Sequence, residues 1–389
     1  MQLNKFILYI SFIIALSSCI EPFMPDTAKY ENSISIEALV TNDPDLPPIV
    51  KIARNIPLMT RAEDNTTPGD KPVDGAEVYI ICDDGNEYQL TNLRPGVYEA
   101  IDPVFTGEEG KSYKIMICHQ GEVYESGFEK LVSSPAIDSI SYEVDERKIS
   151  DDGVTVRGYN FLVSTHDDSP DQSYYRWILD ATYYYYLSYD ADFIYHPPYG
   201  MIPYDNSDLK ECWGSKNIPG IFVAGTEGLV ENSIVEAPLH FESQYGDELT
   251  VRYRLHVRQL KITSECYYFW KDMDKIINKT GGLYETQPFR LMGNIICSSD
   301  PSSNVTGIFE VAGVSEEVKY FNKPEEFPVS GYNCTKIEVG TEENPWIAID
   351  AGTIIIYDEK ENQYFTSDAL CFDCTLRGGT TERPPFWDF

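Results

Sequence analysis

The sequence is poor in basic residues and histidine, and past its first twenty residues it has no apolar run approaching ~18 residues, the length that spans a bilayer. Its 389 residues include 30 Lys and Arg against 63 Asp and Glu, which gives a formal net charge of −33. Because phosphate contacts need cationic side chains, this charge excludes nucleic-acid binding and adsorption to anionic headgroups. The 5 histidines are widely scattered, so chemistry based on clustered imidazoles is not expected.

Familiar catalytic motifs are also missing. The sequence contains no Gly-x-Ser-x-Gly, no His-Glu-x-x-His and no Walker or Rossmann glycine pattern. The acidic segments 166–171 and 190–192 do not match the EF-hand spacing, which favours solvated loops over calcium sites. With 63 carboxylates, an acid and base pair cannot be named from the sequence. We therefore predict a protein that is not an enzyme and that holds no cofactor and no metal.

The amino terminus reads as a lipoprotein signal peptide. Lys5 precedes an apolar run that ends at Leu16, and Ser17-Ser18-Cys19 follow. The run is too short for a spanning helix, and Leu-Ser-Ser-Cys resembles a bacterial lipobox, in which the chain is cut before the cysteine and the cysteine carries palmitate-type acyl chains. We predict a signal peptide over 1–18, and a lipid anchor at Cys19 with a tether to residue 31. The alternative is an ordinary secretory signal with a chance cysteine. Ile20, in place of aspartate, favours the outer membrane.

The rest of the chain predicts a mainly β protein. Seven short alternating segments at ~8–12-residue spacing predict a β-sandwich over 32–133, and Gly75-Ala76-x-Val78 with the later Pro-Gly-x-Tyr is similar to transthyretin-like and carboxypeptidase-regulatory modules. A larger β-rich domain over 134–389 follows. It contains one amphipathic helix near 263–279, which Thr263 or Ser264 caps and Gly281-Gly282 ends.

Eight of the nine cysteines remain once Cys19 is set aside. Cys371-x-x-Cys374 lies near the carboxy terminus in a β context, which favours structural disulfides, with Cys212 and Cys334 as the partners that tie down the tail. A zinc site and a redox pair are the alternatives. Cys82 and Cys118 end two predicted strands, and the sequence leaves open whether they pair or stay as buried thiols.

Tyrosine is abundant, with 28 residues, and it is concentrated between 174 and 204. Segment 190–208 mixes prolines and aspartates with aromatics, has no clear periodicity and is predicted to be a loop. Exposed tyrosines give a large contact area at low entropic cost, so this face is a candidate for ligand or partner contact. The candidates are Tyr183, Tyr184, Tyr185, Tyr186, Tyr189, Tyr195, Tyr199 and Tyr204. The alternative is that the rings pack a second buried cluster.

An ordered series of short motifs carries a family resemblance over nearly the whole mature chain. The series is Cys19 with Glu21-Pro22-Phe23, Gly75-Ala76-Glu77-Val78, Tyr174-Tyr175-Arg176-Trp177, Cys212-Trp213, 253–259, Tyr268-Phe269-Trp270-Lys271, Gln287-Pro288, Gly293-Asn294-Ile295, Gly307-Ile308-Phe309, Cys371-Phe372-Asp373-Cys374, Gly378-Gly379-Thr380 and Pro385-Phe386-Trp387. Together they resemble the Bacteroidota lipoproteins catalogued as domain-of-unknown-function family 4249. Members are typically encoded beside TonB-dependent receptors, and no catalytic residues are established for the family.

The resemblance implies an accessory lipoprotein of an uptake system. We expect a lipid-anchored protein on the extracellular face of the outer membrane that docks on a SusC-like TonB-dependent receptor and helps to capture a glycan or peptide ligand through the 183–204 face. One alternative is an adhesion or envelope-spacing lipoprotein that works without a receptor. Another is a glycan- or peptide-cleaving enzyme.

Overall fold

A computed structural model of the chain describes residues 33–54, 71–101, 105–148, 155–278, 291, 293–341, 343, 345–346 and 349–387. The described residues form 22 strands and one α-helix, so the expectation of a mainly β protein is confirmed. The predicted signal peptide, Cys19, the tether and the Gly281-Gly282 helix stop lie outside the described residues.

The amino-terminal strands follow the alternation of apolar residues. In the first strand, Ile34, Ile36, Ala38 and Val40 point into the core, as a period of two requires. The predicted segments over 32–126 all fall on strands. These strands are β1 (Ile34–Thr41), β2 (Ile49–Arg54), β3 (Lys71–Pro72), β4 (Glu77–Cys82), β5 (Glu87–Arg94), β6 (Val97–Glu99), β7 (Ser112–His119), β8 (Glu122–Ser126) and β9 (Glu129–Lys130).

The remaining elements are longer strands around a single helix. They are β10 (Ile137–Lys148), β11 (Thr155–His166), β12 (Tyr174–Tyr186), β13 (Phe193–His196), β14 (Gly200–Pro203), β15 (Glu211–Gly225), β16 (Ser233–Ser243), β17 (Arg252–Ile262), α1 (Ser264–Asn278), β18 (Ile295–Cys297), β19 (Val305–Asn322), β20 (Ile337–Val339), β21 (Ile354–Asp358) and β22 (Gln363–Thr366). Helix α1 confirms the predicted helix, and the Thr263 side chain caps it by accepting from the Cys266 amide at 3.3 Å.

One long sheet connects the two halves of the sequence. Its strands run in the order β15-β12-β17-β19-β1-β2-β6-β5-β4-β7-β8-β18, and β19 pairs with β1 in parallel, starting from Val305 opposite Ile34. Strand β18 pairs with β8, and Ile295 and Phe309 join the apolar core of the amino-terminal strands. The division of the chain at residue 133 stays a prediction, but such a division would separate β1 from its partner β19.

Two smaller sheets accompany the long one. The three-stranded sheet β10-β11-β16 packs on one face of β12 and β17, where Phe161 and Val163 meet Trp177 and Leu255 in a common core. The five-stranded sheet has the order β14-β13-β21-β22-β20. The prediction of a loop over 190–208 is therefore wrong in part. This segment contains the β13–β14 hairpin. The hairpin pairs with β21, about 160 residues later in the chain, and a pairing over this distance is not visible in the local sequence.

The carboxy-terminal tail, residues 369–387, is tied to the body by two disulfides. Cys212 bonds to Cys374 and Cys334 bonds to Cys371, with Cα–Cα distances of 6.1 and 5.9 Å. The predicted disulfide partners are confirmed. Because all four thiols are consumed in these bonds, the alternatives of a zinc site and a redox Cys-x-x-Cys are wrong.

Cys82 and Cys118 are both free, so the alternative in which they pair is wrong. They lie on adjacent antiparallel strands, but Cys82 is opposite Tyr113 and Cys118 is opposite Glu77. This register places them at opposite ends of the β4–β7 pair, about 16 Å apart at ~3.3 Å per residue. A disulfide needs Cα atoms within about 7 Å.

Candidate functional site

Four of the eight candidate tyrosines pack beneath the tail. Tyr184 and Tyr185 are buried and Tyr183 is half-buried. The Tyr185 hydroxyl donates to the Cys374 carbonyl at 3.2 Å, and the Tyr189 hydroxyl donates to the Cys334 carbonyl at 2.8 Å. The disulfide-bonded tail lies over these rings. They therefore form a buried cluster, which was the alternative to an exposed contact face.

The other candidate tyrosines are divided between separate places. Tyr186, at the end of β12, is 51% exposed, and Tyr199, at the tip of the β13–β14 hairpin, is 77% exposed. Tyr195 is half-buried in the hairpin, and Tyr204 packs with Tyr189 against a core that includes Phe372. The eight tyrosines thus do not make one exposed face. A contact role stays a prediction, and it now concerns mainly Tyr186 and Tyr199.

A polar site lies elsewhere, on the face of the long sheet that is opposite the core. Along β17, Tyr253, Leu255 and Val257 point into the core, so Arg254 and His256 point to the opposite face. On this face the neighbouring strands β12 and β15 also contribute polar side chains. We call the group the polar trough; its members are Asp180, Thr182, Ser215, Asn217, Arg254, His256 and Arg258, and it encloses about 560 Å³.

Strand register brings the members of the polar trough together. Asp180 is directly opposite His256 on one side and Asn217 on the other. Thr182 is likewise opposite Arg254 and Ser215, and its hydroxyl lies 3.3 Å from that of Ser215. Because neighbouring strands are about 4.8 Å apart, the side chains form two adjacent rows across three strands. The site is therefore built on paired strands rather than on loops.

Two segments far apart in sequence bound the polar trough. At one end, the Phe386 ring of the tail lies 4.2 Å from the Arg254 guanidinium carbon, and the Phe386 carbonyl accepts from the Tyr320 hydroxyl at 2.8 Å. At the other end is the connection between β1 and β2, where Asp43 lies 3.4 Å from Arg258 Nε and Asp45 lines the rim. The tail disulfides thus help to hold one wall of the site.

Asp180 is the electrostatic centre of the polar trough. Arg258 Nη1 donates to Asp180 Oδ2 at 2.9 Å, and His256 Nδ1 lies 3.2 Å from the same oxygen. Burial by itself would raise the pKa of Asp180, but His256 and the charges of Arg258 and Arg254 outweigh it and lower the pKa. The carboxylate is therefore ionised at neutral pH.

The buried Arg254 guanidinium has an N–H donor without a hydrogen-bond partner in the described part of the chain. Its residue is only 8% exposed, yet its Nε has no hydrogen-bond partner among the residues that the structure describes. Its ion pair with Asp180 Oδ1 spans 3.8 Å, which is longer than a hydrogen bond. Buried guanidinium groups normally use most of their five donors. Arg254 lines the open volume of the trough, so its guanidinium and the unpaired Nε lie next to the space that a ligand would occupy.

The sequence contains a partial signal for this site, although the candidate contact residues predicted from it were the tyrosines. The alternation over 248–260 predicts a strand, and its polar face carries Arg252, Arg254, His256 and Arg258 in a chain with few cations. Four such side chains on one strand face mark an unusual surface. Asp180 and Asn217 gave no comparable signal, because their position beside β17 depends on the register of three strands.

The comparison with protein families assigns the chain. The profile of the family described as Domain of unknown function (DUF4249) matches residues 20–317, which is more than half of the sequence. The chain belongs to the DUF4249 family. All members of the polar trough lie inside the DUF4249 match, which ends within β19, whereas Phe386 and the tail cysteines lie beyond it. No curated protein matches the chain.

The described ranges lack two other kinds of feature. No helix there has both the length and the apolarity to cross a membrane. In the same part of the chain, no group of three or more His, Cys, Asp or Glu side chains is placed to hold a metal ion.

Proposed function

We propose that this protein is a lipoprotein of the outer membrane, anchored through Cys19 on the extracellular face, which captures a ligand for a SusC-like TonB-dependent receptor. The polar trough is the observation that carries the proposal, because it offers unused buried donors on a sheet whose strands are fixed by pairing. The lipobox sequence and the family resemblance support the location and the receptor. The net charge of −33 keeps the body solvated above an anionic surface.

The geometry of the trough favours binding over catalysis. The lowered pKa of Asp180 leaves its carboxylate without a proton to donate at neutral pH. His256 has a carboxylate at each ring nitrogen, since Nδ1 lies 3.2 Å from Asp180 and Nε2 lies 2.8 Å from Glu316. Neither nitrogen is placed to take a proton from a ligand. These groups are arranged to hold each other in position and to present hydrogen bonds.

Growth on single nutrients tests this function. Deleting the gene is expected to slow growth on one class of nutrient and to leave growth on simple sugars or amino acids unchanged. Supplying the wild-type chain restores growth, and supplying the Cys19→Ala chain does not. A defect that is equal on every nutrient, or a loss of attachment with normal growth, would contradict the proposal and favour the adhesion or envelope-spacing alternative.

A further inference from the structure

We propose that the polar trough binds a neutral saccharide, with Arg254, Asp180 and Asn217 as the principal contacts. The inference deepens the proposed function and rests on it for the role of the ligand in uptake. It moves ligand contact from the candidate tyrosines to the polar residues of β12, β15 and β17, and it selects one of the two ligand classes expected from the sequence. Four features of the trough carry it.

The first feature is the mixture of donors and acceptors. Arg254 offers guanidinium N–H groups, of which Nε has no partner among the described residues, Asp180 offers carboxylate oxygens, and Asn217 offers both kinds of group within the same rows. Asn217 and Ser215 are exposed, so their polar atoms are open to a ligand. A sugar hydroxyl donates one hydrogen bond and accepts others, so adjacent hydroxyls can donate to Asp180 and accept from Arg254 together. A ligand that only accepts hydrogen bonds would leave the acceptors of the trough unpaired, and a ligand that only donates them would leave its donors unpaired.

The second feature is the balance of charge. Arg254 and Arg258 face Asp180 and Asp43, and Asp45 adds a carboxylate at the rim. The nearby amine of Lys216 contributes nothing, since it bonds to Glu242 and Glu248 at 2.7 and 2.8 Å on the other face. The trough has no excess of positive charge, and the chain as a whole carries −33. An anionic ligand would be repelled, whereas a neutral ligand is not penalised.

The third feature is the wall at Phe386. Its residue is 47% exposed although one side of the ring contacts Arg254. A partly exposed aromatic ring beside hydrogen-bonding groups suits the apolar C–H surface of a pyranose ring. The volume of about 560 Å³ lies in the range of small-ligand sites, with room for more than one sugar unit.

The fourth feature argues against a peptide. Peptides usually bind by adding a strand to an open sheet edge. The floor of the trough is formed by β12, β15 and β17. Strands β12 and β17, which carry Asp180 and Arg254, are each paired on both sides, β12 with β15 and β17, and β17 with β12 and β19. Their backbone groups are used within the sheet. Over β12 and β17, only side chains are available to a ligand, which suits a saccharide. Strand β15, at the end of the sheet order, pairs with β12 on one side and meets the tail at Trp213 on the other.

The test uses the full mature chain from Cys19, purified in detergent. It is applied to an array of neutral, uronate-containing and sulfated oligosaccharides with neutral peptides alongside, and the best neutral saccharide is then titrated by calorimetry. We expect binding to neutral saccharides. Arg254→Met, which keeps the apolar stem against Phe386, is expected to weaken binding about 10–100-fold, since a hydrogen bond to a charged group contributes about 1.5–3 kcal/mol. Asn217→Ala, at an exposed position that does not support the core, is expected to weaken it about 3–10-fold.

Arg94→Met is the matched control, because Arg94 is exposed on β5, away from the trough, and pairs with the half-buried Glu99. Its affinity is expected to stay within about twofold of wild type. Binding only to acidic saccharides or to peptides, or wild-type affinity in both trough variants, would overturn the inference. A bound saccharide that is shortened during the titration would identify the cleaving enzyme instead. If the deletion strain shows a nutrient-specific growth defect but the protein binds no saccharide, this inference alone is wrong. If the protein binds a saccharide but the deletion strain grows normally on every nutrient, the proposed function alone is wrong.

Discussion

The double variant Cys371→Ser, Cys374→Ser is expected to lose about 4–8 kcal/mol of unfolding free energy, because each native disulfide contributes about 2–4 kcal/mol. The two bonds close long segments of chain, with sequence separations of 162 and 37 residues. Their loss increases the conformational freedom of the unfolded chain in proportion to the logarithm of these lengths.

The folded state would lose structure as well. Cys371, Phe372 and Cys374 are fully buried against Tyr185 and Tyr189. The tail also pairs with β15, where Trp213 and Thr380 exchange backbone hydrogen bonds of 2.8 and 2.9 Å. Without the disulfides, these contacts must hold the tail alone. We expect residues 369–387 to detach before the rest of the chain unfolds, which exposes the buried tyrosines and removes the Phe386 wall of the polar trough.

Urea unfolding without reductant, followed by tyrosine fluorescence, measures this change. Cys118→Ser is the matched control, since Cys118 is a free, half-buried thiol and its substitution is expected to cost less than about 1 kcal/mol. Alkylation of the denatured chain before and after reduction should label Cys82, Cys118, Cys266 and Cys297 first and the four tail-linked cysteines only after reduction. Unfolding of the double variant at the wild-type midpoint would show that the disulfides do not secure the tail.

The Cys19→Ala chain is expected to disappear from the outer membrane. In the proposed anchor, two or three acyl chains at ~0.8 kcal/mol per buried methylene would hold the mature protein on the membrane. Without the thiol, the precursor cannot be acylated and is not cut before residue 19, so it should keep the mass of residues 1–18. Fractionation of membranes, metabolic labelling with palmitate and intact-mass analysis measure these three consequences.

Cys297→Ala is the control for this prediction, because Cys297 is a free cysteine far from the signal and its loss should change neither labelling nor location. A Cys19→Ala chain that is still cleaved and exported with an unchanged distribution would mean that the leader is an ordinary secretory signal. The lipid anchor would then be wrong, and the proposed location on the outer membrane would lose its physical basis.

Local patterns in the sequence predicted the local structure well. Alternating residues such as Ile34, Ile36 and Ala38 predicted β1, and the apolar stripe behind Thr263 predicted α1. The disulfides followed from the chemistry of cysteine in a chain that is predicted to be exported, since the tail offered Cys371 and Cys374 and the body offered Cys212 and Cys334. In each case the relevant residues are either close together or few enough to enumerate.

Features that depend on distant pairing were not predictable from these patterns. The parallel pairing of β19 with β1 joins residues about 270 positions apart, and the β13–β14 hairpin is stabilised by β21. The burial of Tyr184 and Tyr185 depends on where the tail lies. The polar trough needs the registers of β12, β15 and β17 together, so the alternation at Arg254 and His256 indicated a polar face without its partner Asp180.

Purification of the tagged full-length protein from detergent-solubilised outer membranes tests the central claim most directly. The claim predicts that a TonB-dependent receptor β-barrel is recovered with the wild-type chain in a fixed ratio, is recovered equally with the Arg254→Met chain, and is absent with the Cys19→Ala chain. Recovery of a folded, lipidated chain free of any receptor would contradict the account, because the protein would then act at the membrane without the partner that the proposal requires.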